Sequence, residues 1–270
     1  MANKNPIVAI PPDLDTVIEK AWQSTERTPG FLGENEARFL GMLAACVPGR
    51  GAIVEIGSFK GKSAVMLATV AAHYELGPVV AIDPHTAPSA TDPSIVAGTS
   101  SFEEFVASVR NAGVAEHVEV HQAYSREIAK GWNRPIRLLW IDGDHSYHGT
   151  KEDFDLFGAH LVKGGVVALH DTLNAFEGPI RVFVEEILRS DRFGPAGVVQ
   201  STAWGQFRTE DGADFRKQRR ALELCARRLL PFLKDGQRVQ GLRKMAYKLA
   251  RSRVPRAAVS AADWAAMVSQ

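Results

Sequence analysis

The 270-residue chain predicts an α/β fold, a Rossmann-like doubly wound sheet of seven strands with a basic helical appendage at the C-terminal end. Three observations predict it. Short apolar runs alternate with helical patterns through most of the chain. The run Ile53 to Ile56 leads through a turn bounded by Gly57 and Gly61 into a helix, the opening unit of such folds. Two later strands end in titratable residues, and open α/β sheets bind ligands outside the carboxyl ends of their strands.

The first 30 residues read as a polar lead-in with a short helix near Leu14 to Trp22, and Thr28-Pro-Gly marks a turn. Glu34 to Cys46 places Phe39, Leu40, Leu43 and Ala44 at helical spacing, and Pro48-Gly49 ends the helix, which is expected to cover the first strand. Ile53 to Ile56 suits a buried parallel strand. Glycine has no Cβ, so the turn that follows lets a ligand approach the backbone. Behind it a helix from Ser63 to Ala72 presents free N–H groups. Val79 to Ile82 is the second strand and ends at Asp83. The loop from Thr86 to Thr99 has the length of a lid or binding loop.

Ser101 then caps a helix to Ala112, with Glu103 and Glu104 in its first turn. Val118 to His121 is the third strand, with Ser125 just beyond, and Arg137 to Ile141 is the fourth. Gly149 to Leu161 reads as a helix with Phe154, Phe157 and Leu161 on one face, and Gly164-Gly165 as a turn into the fifth strand, Val166 to Leu169. Gly178-Pro179 opens a helix from Ile180 to Arg189. Val198–Gln200 and Trp204–Arg208 are the last strands. The expected domains are a lead-in over 1–30, the α/β domain over 31–210 and a helical extension over 211–270.

A hydrophobic content of 45% and a charged content of 23% suit a soluble globular chain. Cys46 and Cys225 give neither a disulfide framework nor zinc spacing, so a reducing compartment is expected. There is no signal-peptide apolar region and no run near the roughly 20 apolar residues of a membrane span, which predicts a cytoplasmic protein without a transmembrane segment.

The spacing Gly57-x-x-x-Gly61 is neither the G-x-G-x-x-G dinucleotide fingerprint nor a phosphate loop, and the missing third glycine disfavours an NAD-dependent oxidoreductase. Asp83 lies about 20 residues beyond the turn, where an acid can accept both ribose hydroxyls; a plain loop cap beside Pro84 is the blander alternative. Asp142-Gly-Asp144-His145 closes the fourth strand and His170-Asp171 the fifth. Two carboxylates a few ångströms apart repel, so one takes a proton or a cation sits between them. Such oxygens in an open cleft suit Mg2+, Mn2+ or Ca2+.

His170 is either a nitrogen ligand or a residue that orients Asp171. His145 is the best general base, and a nearby carboxylate such as Asp144 can raise its pKa; Asp144 is a catalytic candidate for that reason and a candidate support for the metal ligands. One aspartate after a strand is often only a loop cap. Two strand ends carrying Asp-Gly-Asp-His and His-Asp exceed what capping needs. His73, His85, His117, His121, His148 and His160 read as structural.

Glu34-Asn-Glu, Val54-Glu-Ile-Gly-Ser-Phe-Lys-Gly-Lys-Ser63, Ile141-Asp-Gly-Asp-His-Ser-Tyr147 and Val167-Ala-Leu-His-Asp171 together resemble the class I S-adenosylmethionine (SAM) methyltransferases, in their bacterial small-molecule O-methyltransferase form. The similarity spans about residues 30 to 208. It implies that the first, fourth and fifth strands are neighbours at the sheet centre. It implies that Glu55, Gly57, Ser58, Gly61 and Ser63 hold the methionine half of SAM and that Ser125 contacts its adenine. By likeness to metal-dependent relatives Asp142 and Asp171 would bind Mg2+, Asp142 would also border the cofactor, and His145, three residues after the first Asp, would be the base. His170 replaces an acidic or amide residue of that pattern. Relatives methylate hydroxyls of sugars and natural products, which implies a saccharide or other small-molecule acceptor.

From Asp214 to Arg256 there are 14 Lys and Arg against 3 Asp and Glu, whereas the remainder has 18 against 28. Asp214 to Leu230 and Gln237 to Arg251 read as helices parted at Pro231 and Asp235-Gly236. Their expected apolar stripes are Leu222, Cys225, Ala226 and Leu229, and then Val239, Leu242, Met245, Ala246 and Leu249. Ser260 caps a last short helix. Such an appendage docks on the core or on a second subunit of a homodimer, clamps an anionic or large acceptor, or meets an anionic membrane surface. It has no aromatic platform or recognition motif, so nucleic acid is not an expected partner. The alternative to an enzyme is a SAM-fold scaffold that acts through these basic helices.

Overall fold

The structure, a computed structural model, describes residues 8–86, 100–233, 239–256 and 259–270. Its strands are β1 (Ala52–Ile56), β2 (Val79–Ile82), β3 (Val118–His121), β4 (Ile136–Ile141), β5 (Leu161–Leu169), β6 (Phe193–Val199) and β7 (Thr202–Phe207). They form one seven-stranded sheet in the order β3-β2-β1-β4-β5-β7-β6. The first five strands pair in parallel, and β7 runs antiparallel to both β5 and β6. Every residue of β2 and β4 is buried, as a strand covered on both faces requires. The strand order reverses between β1 and β4, and the crevice at such a reversal is where open sheets bind ligands.

Helices α1 (Leu14–Arg27), α2 (Glu34–Cys46), α3 (Lys62–His73), α4 (Phe102–Asn111) and the terminal α10 (Ala261–Val268) cover one face, against Ile53, Leu138, Trp140 and Val166. On the other face Val54, Ile56, Leu139, Ile141 and Val167 meet α6 (Tyr147–Gly158), α7 (Glu177–Val182), α8 (Arg216–Arg227) and α9 (Gly241–Ser252). The short α5 (Ser125–Ala129) follows β3. This alternation of inward faces along each strand is the period-two pattern that the apolar runs encode.

Four elements differ from the sequence expectation. Helix α6 ends at Gly158, and Leu161 begins β5 by pairing with Ile136. The register then jumps, so that Leu138 faces Val166, and Gly164-Gly165 lie inside the strand rather than before it. Glycine is required there, because a Cβ on Gly165 would stand 2.9 Å from the Val162 carbonyl oxygen. The helix expected from Ile180 to Arg189 is α7 continued by a π-helical turn over Phe183–Leu188. Strand β6 begins five residues earlier than expected, at Phe193.

The fourth difference is in the appendage. Helix α8 docks as expected, with Leu222, Ala226 and Leu229 buried. Arg219 is buried too, and it donates to the backbone carbonyls of Ser190, Phe193 and Gly194, so part of the basic composition is structural. Helix α9 is turned the other way: Leu242, Met245 and Leu249 are 84%, 67% and 58% exposed, and Tyr247 is the buried residue. Its hydroxyl donates to Leu173 O at 3.0 Å and accepts from Ala175 N at 3.1 Å, and these two bonds fix the helix on the loop after β5. The expected break at Asp235-Gly236 and nearly all of the expected loop over 86–99 lie outside the described residues. Among the described residues no helix is long and apolar enough to cross a membrane.

Candidate active site

The ends of β1, β2 and β4 are tied together. Gly57 N donates to Ile82 O at 2.9 Å, and Asp142 N donates to Ile56 O at 2.8 Å. Gly57 holds φ +88, and a Cβ there would lie 2.3 Å from the Asp142 carbonyl oxygen. Only glycine allows this approach. Gly61, at φ +91, starts α3, and its N–H closes the turn on Ser58 O at 2.8 Å.

Glu55 projects from β1 into the interior below this turn. It is fully buried, and neither carboxylate oxygen has a hydrogen-bond partner; Ser58 Oγ is buried and unpartnered as well. Burial pushes the Glu55 carboxyl up to about 7, with the Ser58 and Ser63 hydroxyls nearby working the other way. A buried acceptor left unmade is costly. The pair of orphaned oxygens therefore fits a ligand that brings an ammonium group.

Asp83 stands over the same turn. Its Oδ2 accepts Phe59 N at 2.7 Å and its Oδ1 accepts His85 N at 2.7 Å. A carboxylate has about four lone-pair sites, so two remain for ribose hydroxyls. Ser125 begins α5 and donates its hydroxyl to Asp153 Oδ1 at 2.5 Å. Asp153 lies among the buried positions of α6, and burial pushes its carboxyl up to about 7 against the pull of Ser125.

At the ends of β4 and β5 the charged groups converge. His170 Nδ1 lies 2.9 Å from Asp142 Oδ1. His145 Nε2 lies 3.4 Å from Asp142 Oδ1 and 3.7 Å from Asp171 Oδ2. The His145 ring stacks on Phe176, with centroids 4.5 Å apart and planes at 17°. Asp171 adopts φ +53, a conformation that L-residues tolerate only under local constraint, and Asn174 Nδ2 donates to its Oδ1 at 2.5 Å.

The electrostatics follow from these contacts. Burial works against charge on Asp142, yet His170 and His145 hold its carboxyl down at about 2. Burial also opposes charge on His145, but Asp142 and Asp171 outweigh it and raise the imidazole above its ordinary value. For His170 burial is again overcome, by Asp142, Glu36 and Asp171, and the ring is held protonated well above the usual range. Burial and the Asp142 charge raise Asp171, with His170 acting the other way.

Glu36 was not among the candidate site residues. Its Oε2 lies 3.7 Å from His170 Nε2, and its Oε1 accepts from Ser201 N, Ser201 Oγ and Thr202 Oγ1 at 3.1, 2.7 and 3.1 Å. Burial pushes up, but His170 and Ser201 hold the Glu36 carboxyl at about 2. Its sequence signal is its place in the Glu34-Asn-Glu stretch that carries the resemblance, an acid followed directly by the apolar positions of α2. Asp144 gives Oδ1 to Ser146 N at 2.9 Å and Oδ2 to Ser146 Oγ at 3.0 Å, an Asx turn that starts α6. The carboxylates set against His145 Nε2 are those of Asp142 and Asp171.

Asp142, His170 and Asp171 each offer a ligand atom, all within 4.8 Å of one another. Two carboxylate oxygens and an imidazole nitrogen fit a divalent cation, provided that His170 Nδ1 loses its proton. Glu36 and Asn174, which contact His170 and Asp171, also line a cavity of about 340 Å3 together with Ser201 and Arg251.

An antiparallel β7 between β5 and β6 separates this sheet from the all-parallel dinucleotide folds, and the strand-end chemistry gathers where the order reverses. The fold so defined is that of the class I SAM-dependent methyltransferases. Residues 54–172, which span β1 to β5 and the strand ends just described, match the model of a methyltransferase domain family. Solved structures share the fold. Cofactor-bound Rv0187 from MTB aligns with a TM-score of 0.52 at 18% identity, over 74% of this chain and 92% of its own. The O-methyltransferase NovP gives 0.53 at 16%, over 73% and 98%. The O-methyltransferase from Bacillus cereus in complex with SAH gives 0.50 at 18%, over 74% and 94%. At these identities the likeness is one of fold.

Proposed function

We propose that the protein transfers the methyl group of SAM to a hydroxyl of a sugar, saccharide or related natural product, with His145 as general base and divalent-cation assistance. The observation that carries this reading is His145 Nε2 held between Asp142 and Asp171, at adjacent strand ends beside the Gly57 turn. The solved Bacillus cereus O-methyltransferase of the same fold holds SAH, which supports SAM as the donor.

Glu55, Gly57, Ser58, Gly61 and Ser63 would hold the methionine half of the donor, the orphaned Glu55 oxygens taking its ammonium group. Asp83 would take the ribose hydroxyls, and Ser125, fixed by Asp153, would border the adenine. Asp142, Asp171 and His170 would hold Mg2+, Mn2+ or Ca2+, which when bound lowers the pKa of a coordinated hydroxyl. His145 Nε2 takes the hydroxyl proton as the oxygen attacks. Phe176 fixes the plane of the ring, and Asp142 and Asp171 stabilise the imidazolium that forms. The domain contributes alignment of oxygen, methyl carbon and sulfur in line. The reading takes the protein as cytoplasmic and as a homodimer.

Calorimetric titration of SAM and SAH, with Mg2+ and again with EDTA, tests it. Binding of both, with a separate Mg2+ heat lost in Asp142→Ala, is the expected result. No binding under either condition would overturn the methyltransferase reading and favour a scaffold acting through the basic helices.

A further inference from the structure

We propose that Arg251 and Arg256, contributed by the C-terminal appendage, form an anion subsite in the acceptor cavity, so that the methylated compound is an alcohol bearing a phosphate or carboxylate group. The proposal rests on the methyl-transfer reading only in taking this cavity as the acceptor's. The cavity of about 340 Å3 is lined by α2 residues, by Leu173 and Asn174 after β5, by the turn before β7, and by these two arginines. That volume suits a small molecule.

The cavity's charges are unevenly matched. Its two acids are already partnered, Glu34 by Arg38 at 2.8 Å and Glu36 by His170, Ser201 and Thr202. Among the described residues neither Arg251 nor Arg256 has a carboxylate within 4.0 Å, whereas Arg38, Arg181, Arg189 and Arg216 each have one. Arg251 Nη1 donates to Leu173 O at 3.1 Å and to Asn174 Oδ1 at 3.4 Å. A guanidinium has five N–H donors, so Nε and Nη2 remain for a ligand. Two guanidiniums at one wall suit an anionic oxygen group, which each can bind through paired N–H donors.

Arg251 is placed, not trailing. Tyr247 bonds the loop after β5 at Leu173 O and Ala175 N, and Arg251 follows one helical turn later on the same side of α9. Asn174 then links the two ends of the site, since its Oδ1 accepts from Arg251 and its Nδ2 donates to Asp171. The subsite therefore stands two hydrogen bonds from the carboxylate beside His145. On this proposal a compound anchored by its anionic group at the arginines would turn its hydroxyl toward Asn174 and Asp171, the side of the cavity nearest the base.

The test uses the full-length protein, with and without saturating SAH, titrated with inorganic phosphate, glucose 1-phosphate, glucuronate and neutral methyl glucoside. The expected result is binding of at least one anionic probe, stronger than that of methyl glucoside, and weakened at least ten-fold in Arg251→Gln and in Arg256→Gln with SAH affinity unchanged. Phosphate-bearing and carboxylate-bearing acceptors are told apart by which probe binds. Arg256 is exposed, so Arg256→Gln decides the matter alone if Arg251→Gln does not fold. No anion binding by the wild type, preference for the neutral glucoside, or equal binding by the variants would overturn the proposal. Loss of SAH binding would instead count against the methyl-transfer reading, because the anion titration is also read without SAH.

Discussion

His170 Nδ1 lies 2.9 Å from Asp142 Oδ1, and each side chain holds the other charged: the imidazole is kept protonated well above its usual range and the carboxyl is kept at about 2. A cation that binds this nitrogen must displace its proton. Divalent-cation affinity should therefore rise with pH, by about ten-fold per unit while the ring keeps its proton. Calorimetry in two buffers of different ionisation enthalpy should register one proton released per cation. A flat affinity between pH 6.5 and pH 8.5 would show that the cation, if bound, uses the carboxylates without His170.

His145 is raised above its ordinary value because Asp142 and Asp171 outweigh its burial. A general base works only when neutral, so turnover should be low at acid pH and rise as the pH passes above about 6.5. His145→Ala should lower kcat by roughly 100-fold or more and abolish that rise, with SAH affinity unchanged. Unchanged turnover would remove His145 from the chemistry.

Glu55 gives a stability effect with a definite sign. Its carboxyl titrates at about 7 in the folded chain and near 4.5 when unfolded. The folded state holds the proton more tightly, so this contribution is fully present below 4.5 and is lost as pH rises through 7. At pH 8 the buried charge costs up to about 3 kcal/mol. Glu55→Gln should raise the melting temperature of the SAM-free protein at pH 8 and change it little at pH 5. The same variant should bind SAH more weakly. A melting shift of equal size at both pH values would mean that the carboxyl is not the titrating group.

The strand-end chemistry was legible in the sequence because strand register is local. An apolar run that stops at Asp142 or at His170-Asp171 places those side chains at the carboxyl end of the sheet whatever else the chain does. Glu36 stands in the Glu34-Asn-Glu stretch of the resemblance, which assigns it no role at the site, and Asp153 was not legible at all. Each is an acid on an amphipathic helix, and only the tertiary partner, Ser201 for one and Ser125 for the other, distinguishes it from a solvated one. Asp144 shows how a local partner enters as well: its carboxylate accepts from Ser146 N and Oγ in an Asx turn, which sequence adjacency to His145 does not reveal. In α9 the apolar stripe argued for one face, but two hydrogen bonds from Tyr247 turned the helix onto the other.

Gly57 and Gly77 separate two reasons for glycine. Both have nearly the same positive φ, +88 and +86. A Cβ on Gly77 meets nothing within 4 Å, whereas one on Gly57 would stand 2.3 Å from Asp142 O and 2.6 Å from Gly143 N, both backbone atoms. Gly77→Ala should cost only the backbone strain of a left-handed alanine, about 1 kcal/mol. Gly57→Ala must also push the ends of β1 and β4 apart, adding a further 1–3 kcal/mol or so of overpacking. It should also lose SAH binding, because the turn that approaches the cofactor is the part displaced. Urea denaturation of the two variants, with SAH titration of each, checks both effects. Equal destabilisation would mean that φ alone demands glycine at Gly57, and that the strand ends can part without cost.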